Sequence, residues 1–488
     1  MEKKQSVLII SYLFPPIGGG GIPRALKMAK YLGEYNWNVH VLTTDPAYHA
    51  TLDNSLLAQV PADVQIHRAK ELTSLLRKPA PAIAKQTTGK TEQGTESKGD
   101  STNTTNKEEV TTTHTVSTPS APSLLGKFKG KAFSFAKKIK SYILIPDDQI
   151  LWYPEAVKAG RKLLREKKID VIFSTSGPVT NHLVARKLAE EFGCKWIADF
   201  RDPWTQNMHR SGIGWRERLE EKLEEKVMRK ADVITTVTAT FAKNFTNKYP
   251  SQIQRVELIY NGFDRADFRD LMPVKEVPGR FHAAYAGILY QKRNPRLLLA
   301  AIKELIDEGK VNSNEISLSF AGVFDYPGYT ENQDCVNALG LQDVVRVLGN
   351  LPHKEALGLM KGADALLMIG DVTPDAGAYI PGKLYEYMGV GKPILALHMP
   401  GEAADIIRSF QLGQVADPMN KEAIKEAYYK LFQAWKQEQE TSTETKRDES
   451  FYDRVRPYER REQAGQLARL MNEVVGQKTE RDQADPTM

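Results

Sequence analysis

Short runs of apolar residues alternate along the chain with longer stretches in which apolar positions return every three or four residues. That alternation predicts strands buried in a parallel sheet with helices laid across them. In the first half, residues 7–11, 39–43, 171–175, 195–199, 233–237 and 256–260 read as strands, and 23–32 and 180–191 as helices. The Glu/Lys-rich stretch 216–230 reads as a helix with Leu219, Leu223 and Val227 on one buried stripe. A turn-rich hinge follows, from Asn261-Gly262-Phe263-Asp264 to Pro278. Beyond it, residues 282–287, 316–322, 344–348, 365–369 and 393–397 form a second series of strands with helices between them. Two successive doubly wound α/β sheets are implied. A charged, Thr-rich loop (437–450) and a last amphipathic helix (452–475) close the pattern.

One stretch departs from it. Residues 79–123 contain no Phe, Trp, Tyr, Leu or Met and are dense in Thr, Ser, Lys and Glu. Such a segment cannot bury enough apolar area to offset its ordering entropy, so a disordered insert in the first domain is expected. The remaining composition, 41% hydrophobic and 26% charged over 488 residues, is that of a soluble globular chain of two or three domains. Fibrous and wholly disordered classes are excluded. Cys194 and Cys335 are too few for a disulfide framework or a Cys/His zinc cluster, which points to a reducing, cytoplasmic setting. No run approaches the roughly 20 apolar residues of a membrane span. The early apolar run breaks at Pro15-Pro16 and enters Gly18 to Gly21, so it reads as a first core strand and not as a signal peptide.

The net charge of +6 is local. Between Leu124 and Pro146 stand Lys127, Lys129, Lys131, Lys137, Lys138 and Lys140 with no acid, and the rest of the chain is formally neutral. Leu125, Phe128, Ala132, Phe135, Ile139 and Ile143 recur at helical steps, with the lysines mostly opposite. A basic amphipathic helix over 124–146 would lie on an anionic membrane surface; the alternative is an ordinary helix packed on its own domain. Nucleic acid is a poorer partner, because the remaining chain is neutral and carries no reader motif.

Two glycine-rich junctions carry candidate chemistry. Phe14-Pro15-Pro16-Ile17-Gly18-Gly19-Gly20-Gly21-Ile22-Pro23-Arg24 joins the first strand to a helix, where close backbone approach and unpaired N–H groups suit an anion. Pro23 stands where a dinucleotide fingerprint needs glycine, which disfavours a dehydrogenase. In the second half, Gly377-Ala378-Tyr379-Ile380-Pro381-Gly382-Lys383-Leu384 nearly spells a P-loop, but Leu384 replaces the Mg²⁺-binding Ser or Thr. ATP hydrolysis is disfavoured. Lys383, helix N–H groups and Glu386 can still surround a nucleotide, the carboxylate accepting both hydroxyls of a ribose. Asp199-Phe200-Arg201-Asp202-Pro203-Trp204 lies at the C-terminal end of a strand, where open α/β sheets bind ligands. An internal ion pair closing that loop is the alternative.

Phe14-Pro15-Pro16 with Gly19-Gly20, Asn261-Gly262-Phe263-Asp264, Gly287 followed by Lys292, Gly349 before His353, and Pro381-Gly382-Lys383-Leu384-Tyr385-Glu386-Tyr387 with Gly391-Lys392-Pro393 together resemble a family 4 glycosyltransferase. The resemblance implies a retaining enzyme of the GT-B fold, two Rossmann-like domains facing across a cleft. It places an acceptor domain at 1–265, a nucleotide-sugar domain at 266–440, and a helix at 451–476 packing back on the first. It further implies donor contacts at Gly19, Gly20, Gly287, Lys292, Arg293, Pro381, Gly382, Lys383, Leu384 and Glu386, with a UDP-sugar as substrate and neither cofactor nor metal. Arg24, Arg201, Asp202 and Trp204 would face a lipid-linked or glycan acceptor, within a subgroup associated with bacterial surface polysaccharides. Asp202, Arg201, Lys292 and Lys383 are the implied catalytic set. Two positions depart from the family: Ala378 stands where a sugar-contacting glutamate is common, and Ile288 where an arginine follows the strand glycine. No histidine occupies the family's usual place near 174–177, and His182 reads as a surface or packing residue. The expected setting is the inner face of the cell membrane. The alternative functions are a GT-B-fold sugar-nucleotide epimerase and a catalytically silent glycan- or nucleotide-binding module.

Overall fold

A computed structural model describes residues 4–19, 21–49, 51–72, 144–207, 212–373, 376–441 and 449–484. Gly20, the insert 79–123, residues 124–143 of the lysine segment and 442–448 of the Thr-rich loop lie outside the described residues.

Both halves are parallel sheets, as the apolar runs require. The first contains β1 (Gln5–Ile10), β2 (Trp37–Thr44), β3 (Gln65–Ala69), β4 (Val171–Thr175), β5 (Lys195–Phe200), β6 (Val233–Thr236) and β7 (Val256–Leu258), in the order β3-β2-β1-β4-β5-β6-β7. The second contains β8 (Phe281–Ile288), β9 (Ile316–Val323), β10 (Val345–Gly349), β11 (Ala365–Ile369), β12 (Ile394–Leu397) and β13 (Gly413–Ala416), in the order β10-β9-β8-β11-β12-β13. In each sheet the strand order reverses beside the first strand, between β1 and β4 and between β8 and β11. Connections leave in opposite directions there, opening a crevice at the C-terminal ends of the strands.

Two strands escape the apolar-run criterion. β3 is Gln-Ile-His-Arg-Ala and β13 is Gly-Gln-Val-Ala; each is an edge strand, only partly buried, so neither needs a continuous apolar run. The helix Gly214–Lys230 also differs from its expected stripe. Val227 and Met228 are buried with Glu224, whereas Leu219 is 40% exposed. The N-terminal half of this helix projects beyond the core, and a polar cluster draws Glu224 inward, as described below. The expected loop from 437 begins instead inside the helix Lys421–Thr441.

The chain crosses between the halves twice, and the two crossings lie side by side. Phe263 N–H donates to the Tyr458 carbonyl (3.0 Å) and Arg460 N–H donates to the Phe263 carbonyl (2.8 Å). The last amphipathic stretch is two helices, Glu449–Val455 and Arg460–Ala484, separated by a short 3-10 turn containing Pro457. Proline removes a helical hydrogen bond and crowds the preceding turn, and the break redirects the chain onto the first sheet. There Ala464, Leu467, Ala468, Leu470, Met471 and Val474 join the cluster of Val7, Ile9, Val39 and Val41. Gly262 permits the close crossing: a Cβ there would sit 2.0 Å from the Tyr458 carbonyl oxygen. Asp264, in the same motif, accepts from Lys27 (2.6 Å), Lys30 (2.8 Å) and Tyr31 (2.6 Å) on the helix Ile22–Leu32. Burial alone would raise its carboxyl pKa; Lys27 and the other donors reverse this and hold it far below the usual range.

Gly262→Ala should therefore push the two crossings apart. A loss of stability of about 1–3 kcal/mol is expected, the range for overpacking a tight site. A lowered urea midpoint checks this; an unchanged midpoint would show that the crossings do not depend on their close approach.

Candidate active site

The floor of the first crevice is a buried ion pair. Asp199, at the end of β5, accepts from Arg24 Nη2 (2.6 Å) and Nε (2.7 Å), from the Thr175 hydroxyl on β4 (2.7 Å) and from the Thr235 hydroxyl on β6 (2.8 Å). Arg24 also donates to the carbonyls of Ile259 and Tyr260 after β7. Burial alone would raise the Asp199 pKa, but Arg24 and the two hydroxyls hold it below the ordinary carboxylate value. Arg24 is 1% exposed with its fork filled by these acceptors, which corrects its expected place at the acceptor. The family resemblance placed it at the acceptor; only the fold reveals the Asp199 carboxylate behind it.

Above this floor Arg201 ties three loops together. Its guanidinium donates to the carbonyls of Ser176, Gly177 and Gly21, the last at 2.7 Å, so the glycine-rich turn is fastened to the ends of β4 and β5. That turn is braced from its other side by Gly18 N–H to the Thr51 carbonyl (3.0 Å) and Asp53 N–H to the Pro16 carbonyl (2.6 Å). No described atom stands within 4 Å of where a Cβ on Gly19 would project. Asp202 reaches solvent at the crevice mouth, and the surrounding protein pushes its pKa up against the opposing charge of Arg201. A carboxyl so placed can accept a hydrogen bond from an incoming hydroxyl.

Trp204 does not join Asp202. It is 9% exposed and belongs to the apolar cluster of the first sheet, which corrects its expected place facing the acceptor. The loop turns inward because Glu224, fully buried, accepts from the Thr205 N–H (3.2 Å), the Thr205 hydroxyl, Lys248 Nζ (2.9 Å) and the Tyr249 hydroxyl (2.6 Å). His182 is also internal: it pairs with the Ser174 hydroxyl (2.8 Å), lies 4.3 Å from the Phe200 ring centroid, and burial depresses its pKa to about 3. It is a packing residue held neutral.

In the second crevice, Lys383 enters from the helix Gly382–Val390, which Pro381 caps. Its ammonium crosses over Gly287 at the end of β8, where a Cβ would fall 2.1 Å from Nζ, and Gly287 has φ +150°. The backbone angle favours glycine there, and a side chain would displace the Lys383 ammonium. Nζ lies 5.3 Å from the Tyr285 ring centroid. Burial lowers the Lys383 pKa, Arg293 lowers it further, and Glu386 opposes them. Arg293 pairs with Asp371 (2.9 Å), which also accepts from the Tyr290 hydroxyl (2.7 Å). Burial raises the Glu386 pKa against the charges of His353 and Lys383. Leu384 is buried in the core and Gly382 is exposed at the helix start.

Lys292 is exposed and lines a cavity of about 370 Å³ with Ile369, Gly370, Val372, Leu397 and Met419. Arg293, in the turn closed by the Tyr290 and Arg293 backbone hydrogen bonds (2.9 and 2.7 Å), is the cation that repels Lys383. Ile288, where the family has an arginine, is 51% exposed. Motif reading missed Arg460 entirely. It is 7% exposed, donates to Gln463 (3.3 Å), and burial with repulsion from Arg24 and Arg201 lowers its pKa to about 9. Its helix-start position in the return crossing gave no signal, since the charge becomes notable only when three distant arginines converge.

Residues 112–267 match the family model described as Glycosyltransferase Family 4, and residues 270–448 match the model described as Glycosyl transferases group 1. The chain is a family 4-like glycosyltransferase. Among solved structures, a glycosyltransferase from Rickettsia africae shares 13% identity with a TM-score of 0.53, over 97% of this chain and 99% of that one. Anabaena HepE in complex with UDP and glucose shares 12% identity with a TM-score of 0.51, over 96% and 100%. These likenesses establish that the transferase has the GT-B fold. No curated protein matches its sequence.

If the first-crevice ion pair is structural, Arg24→Met should cost about 3–5 kcal/mol, the penalty for leaving a buried charge unpaired. Chemical denaturation reads this loss. A variant of unchanged stability with only a raised acceptor KM would restore Arg24 to substrate contact.

Proposed function

We propose that the transferase moves a sugar from a nucleotide-sugar donor, of the UDP type, to a lipid-linked or glycan acceptor with retention of anomeric configuration. The observation that carries this reading is the Lys383 ammonium lodged over the Gly287 backbone at the β8/β11 switch point, with Arg293 beside it. Two cations at a crevice for phosphorylated ligands suit a departing diphosphate, whose negative charge grows as the glycosidic bond breaks. Glu386 would receive the ribose hydroxyls. Lys292 and the adjoining cavity would receive more of the nucleotide, and Gly19 and Gly20 would let the donor approach the first domain closely. Anabaena HepE, which has the same fold, is in complex with UDP and glucose.

Across the cleft, Asp202 would orient the acceptor hydroxyl and Arg201 would hold the loops that frame it. In the transfer step the acceptor oxygen bonds to the anomeric carbon on the face from which the diphosphate leaves. The diphosphate takes the bonding electron pair, and one of its oxygens takes the hydroxyl proton. The proposed setting is the inner face of a cell membrane, in surface polysaccharide or glycolipid synthesis, with the lysine-rich segment 124–146 as the anionic-membrane contact. No helix among the described residues is long and apolar enough to cross a membrane.

Release of free nucleoside diphosphate from a panel of sugar donors, with and without membrane lipid extract, tests the reading. Transfer requires an acceptor, an epimerase makes a new sugar nucleotide without one, and a silent module gives no product. Lys383→Ala is expected to lower turnover by at least about 100-fold, the scale of losing a charge-stabilising group. Because its pKa is lowered, Lys383 loses charge as pH rises through a value below the ordinary 10.5. Activity should fall on that alkaline limb, and Lys383→Arg should shift the limb upward. A limb that stays in place would remove Lys383 from the site. Vesicle flotation with Lys137 and Lys138 changed to Glu should lose binding to anionic liposomes; unchanged flotation would reject the membrane contact.

A further inference from the structure

The helix Ala239–Lys248 follows β6, so its N-terminus faces the cleft from the acceptor side. The Thr238 hydroxyl caps it by accepting from Phe241 N–H (3.0 Å). Two further helix-start donors turn toward the opposite domain: Ala239 N–H reaches Glu402 Oε2 at 2.9 Å and Thr240 N–H reaches Glu402 Oε1 at 2.6 Å. Glu402 opens the helix Glu402–Ser409 just after β12. Its carboxylate could serve the positive end of its own helix, yet it serves that of the facing domain.

The same junction grips the segment leading to Lys383. The 3-10 turn Ala376–Ala378 lies against Gly401, so closely that a Cβ on Gly377 would sit 2.2 Å from the Pro400 carbonyl oxygen. On its other side, Ala378 and Tyr379 pack on the apolar cluster of the first domain, with the Tyr379 ring edge-on to Phe241 at 5.1 Å. Ala378 thus places a methyl at a domain contact where the family commonly has a carboxylate. Residues 376–381 are held between the Glu402 helix start and the acceptor domain, and they run directly into the helix bearing Lys383 and Glu386.

We infer that Glu402 is a positioning residue for transfer: its two-pronged grip on the Ala239 and Thr240 amides sets the 376–381 segment, and through it Lys383, against the acceptor domain. The inference rests on the transferase reading but concerns a residue that no donor or acceptor need touch. With the grip released, both amides and the carboxylate pass to water, and the donor helix loses its fixed relation to Asp202.

The contact can be cut from either side. Glu402→Gln leaves one accepting oxygen and turns an amide group toward the second donor. Ala239→Pro deletes one donor at the first helical position, where proline is tolerated, and Thr238 before it is already extended. In the full-length protein each variant should lower kcat about tenfold, while UDP affinity by calorimetry stays within twofold and the thermal midpoint within a few degrees. The double variant should be no slower than the slower single, because both changes remove one contact. Glu402→Asp should recover part of the loss. Singles with wild-type kcat, losses that multiply in the double, or an equal loss of UDP affinity would each overturn the inference. The distance between nitroxide labels at Lys243→Cys and Arg408→Cys, both exposed, should lengthen in the two variants. An unchanged distance would also overturn it. Should no donor turn over with the wild-type protein, the transferase reading fails while this distance still decides the Glu402 contact.

Discussion

A single buried carboxylate fixes the geometry of the first domain. Asp199 draws Arg24 from the helix after β1, Thr175 from β4 and Thr235 from β6 onto one point, and Arg24 extends the tie to the backbone after β7. Neither partner can be exposed or removed cheaply, since an unpaired charge in that environment costs more than the pair itself contributes. The ends of four strands and the path into the hinge are thereby held in one arrangement. Arg201 then fastens the glycine-rich turn above that floor, and Asp202 is left at the mouth.

The second domain follows a different logic. There the cations are only partly buried: Lys383 is threaded over a glycine, and Arg293 is steadied by Asp371 and Tyr290. Burial, and after it repulsion from Arg293, depresses the Lys383 pKa, an unfavourable arrangement that an arriving polyanion would relieve. Arg460, brought in by the return crossing, adds a buried cation whose pKa is lowered by burial and by repulsion from Arg24 and Arg201.

Much of the fold was legible because central strands of a parallel sheet are buried on both faces. Runs such as 171–175 and 365–369 are therefore dominated by apolar residues, and their limits coincide with β4 and β11. β3 and β13 lie at edges where one side meets solvent, so that constraint lapses and with it the signal. Site residues divide similarly. Gly287, Lys383 and Glu386 stand in local motifs, and the structure brings them together, with Lys383 over the Gly287 backbone and within the field of Glu386. Arg24 and Trp204 also stand in motifs, yet they turn inward, because what neutralises or covers them lies over 170 residues away in one case and in a neighbouring apolar cluster in the other.

The order of apolar runs, glycine turns and charged helices was enough by itself to determine two doubly wound sheets and to single out residues 382–386 as a candidate nucleotide site. Those properties arise from near neighbours: strand burial, helix periodicity and local φ preferences act within a few residues. Tertiary structure alone decided that Arg293 and not Lys292 stands with Lys383, that Arg24 is closed off, and that Glu402 reaches across the cleft. Each of those outcomes depends on which distant group lies within about 3 Å, and Coulomb attraction, desolvation and steric exclusion at that range are set by the packing of whole elements.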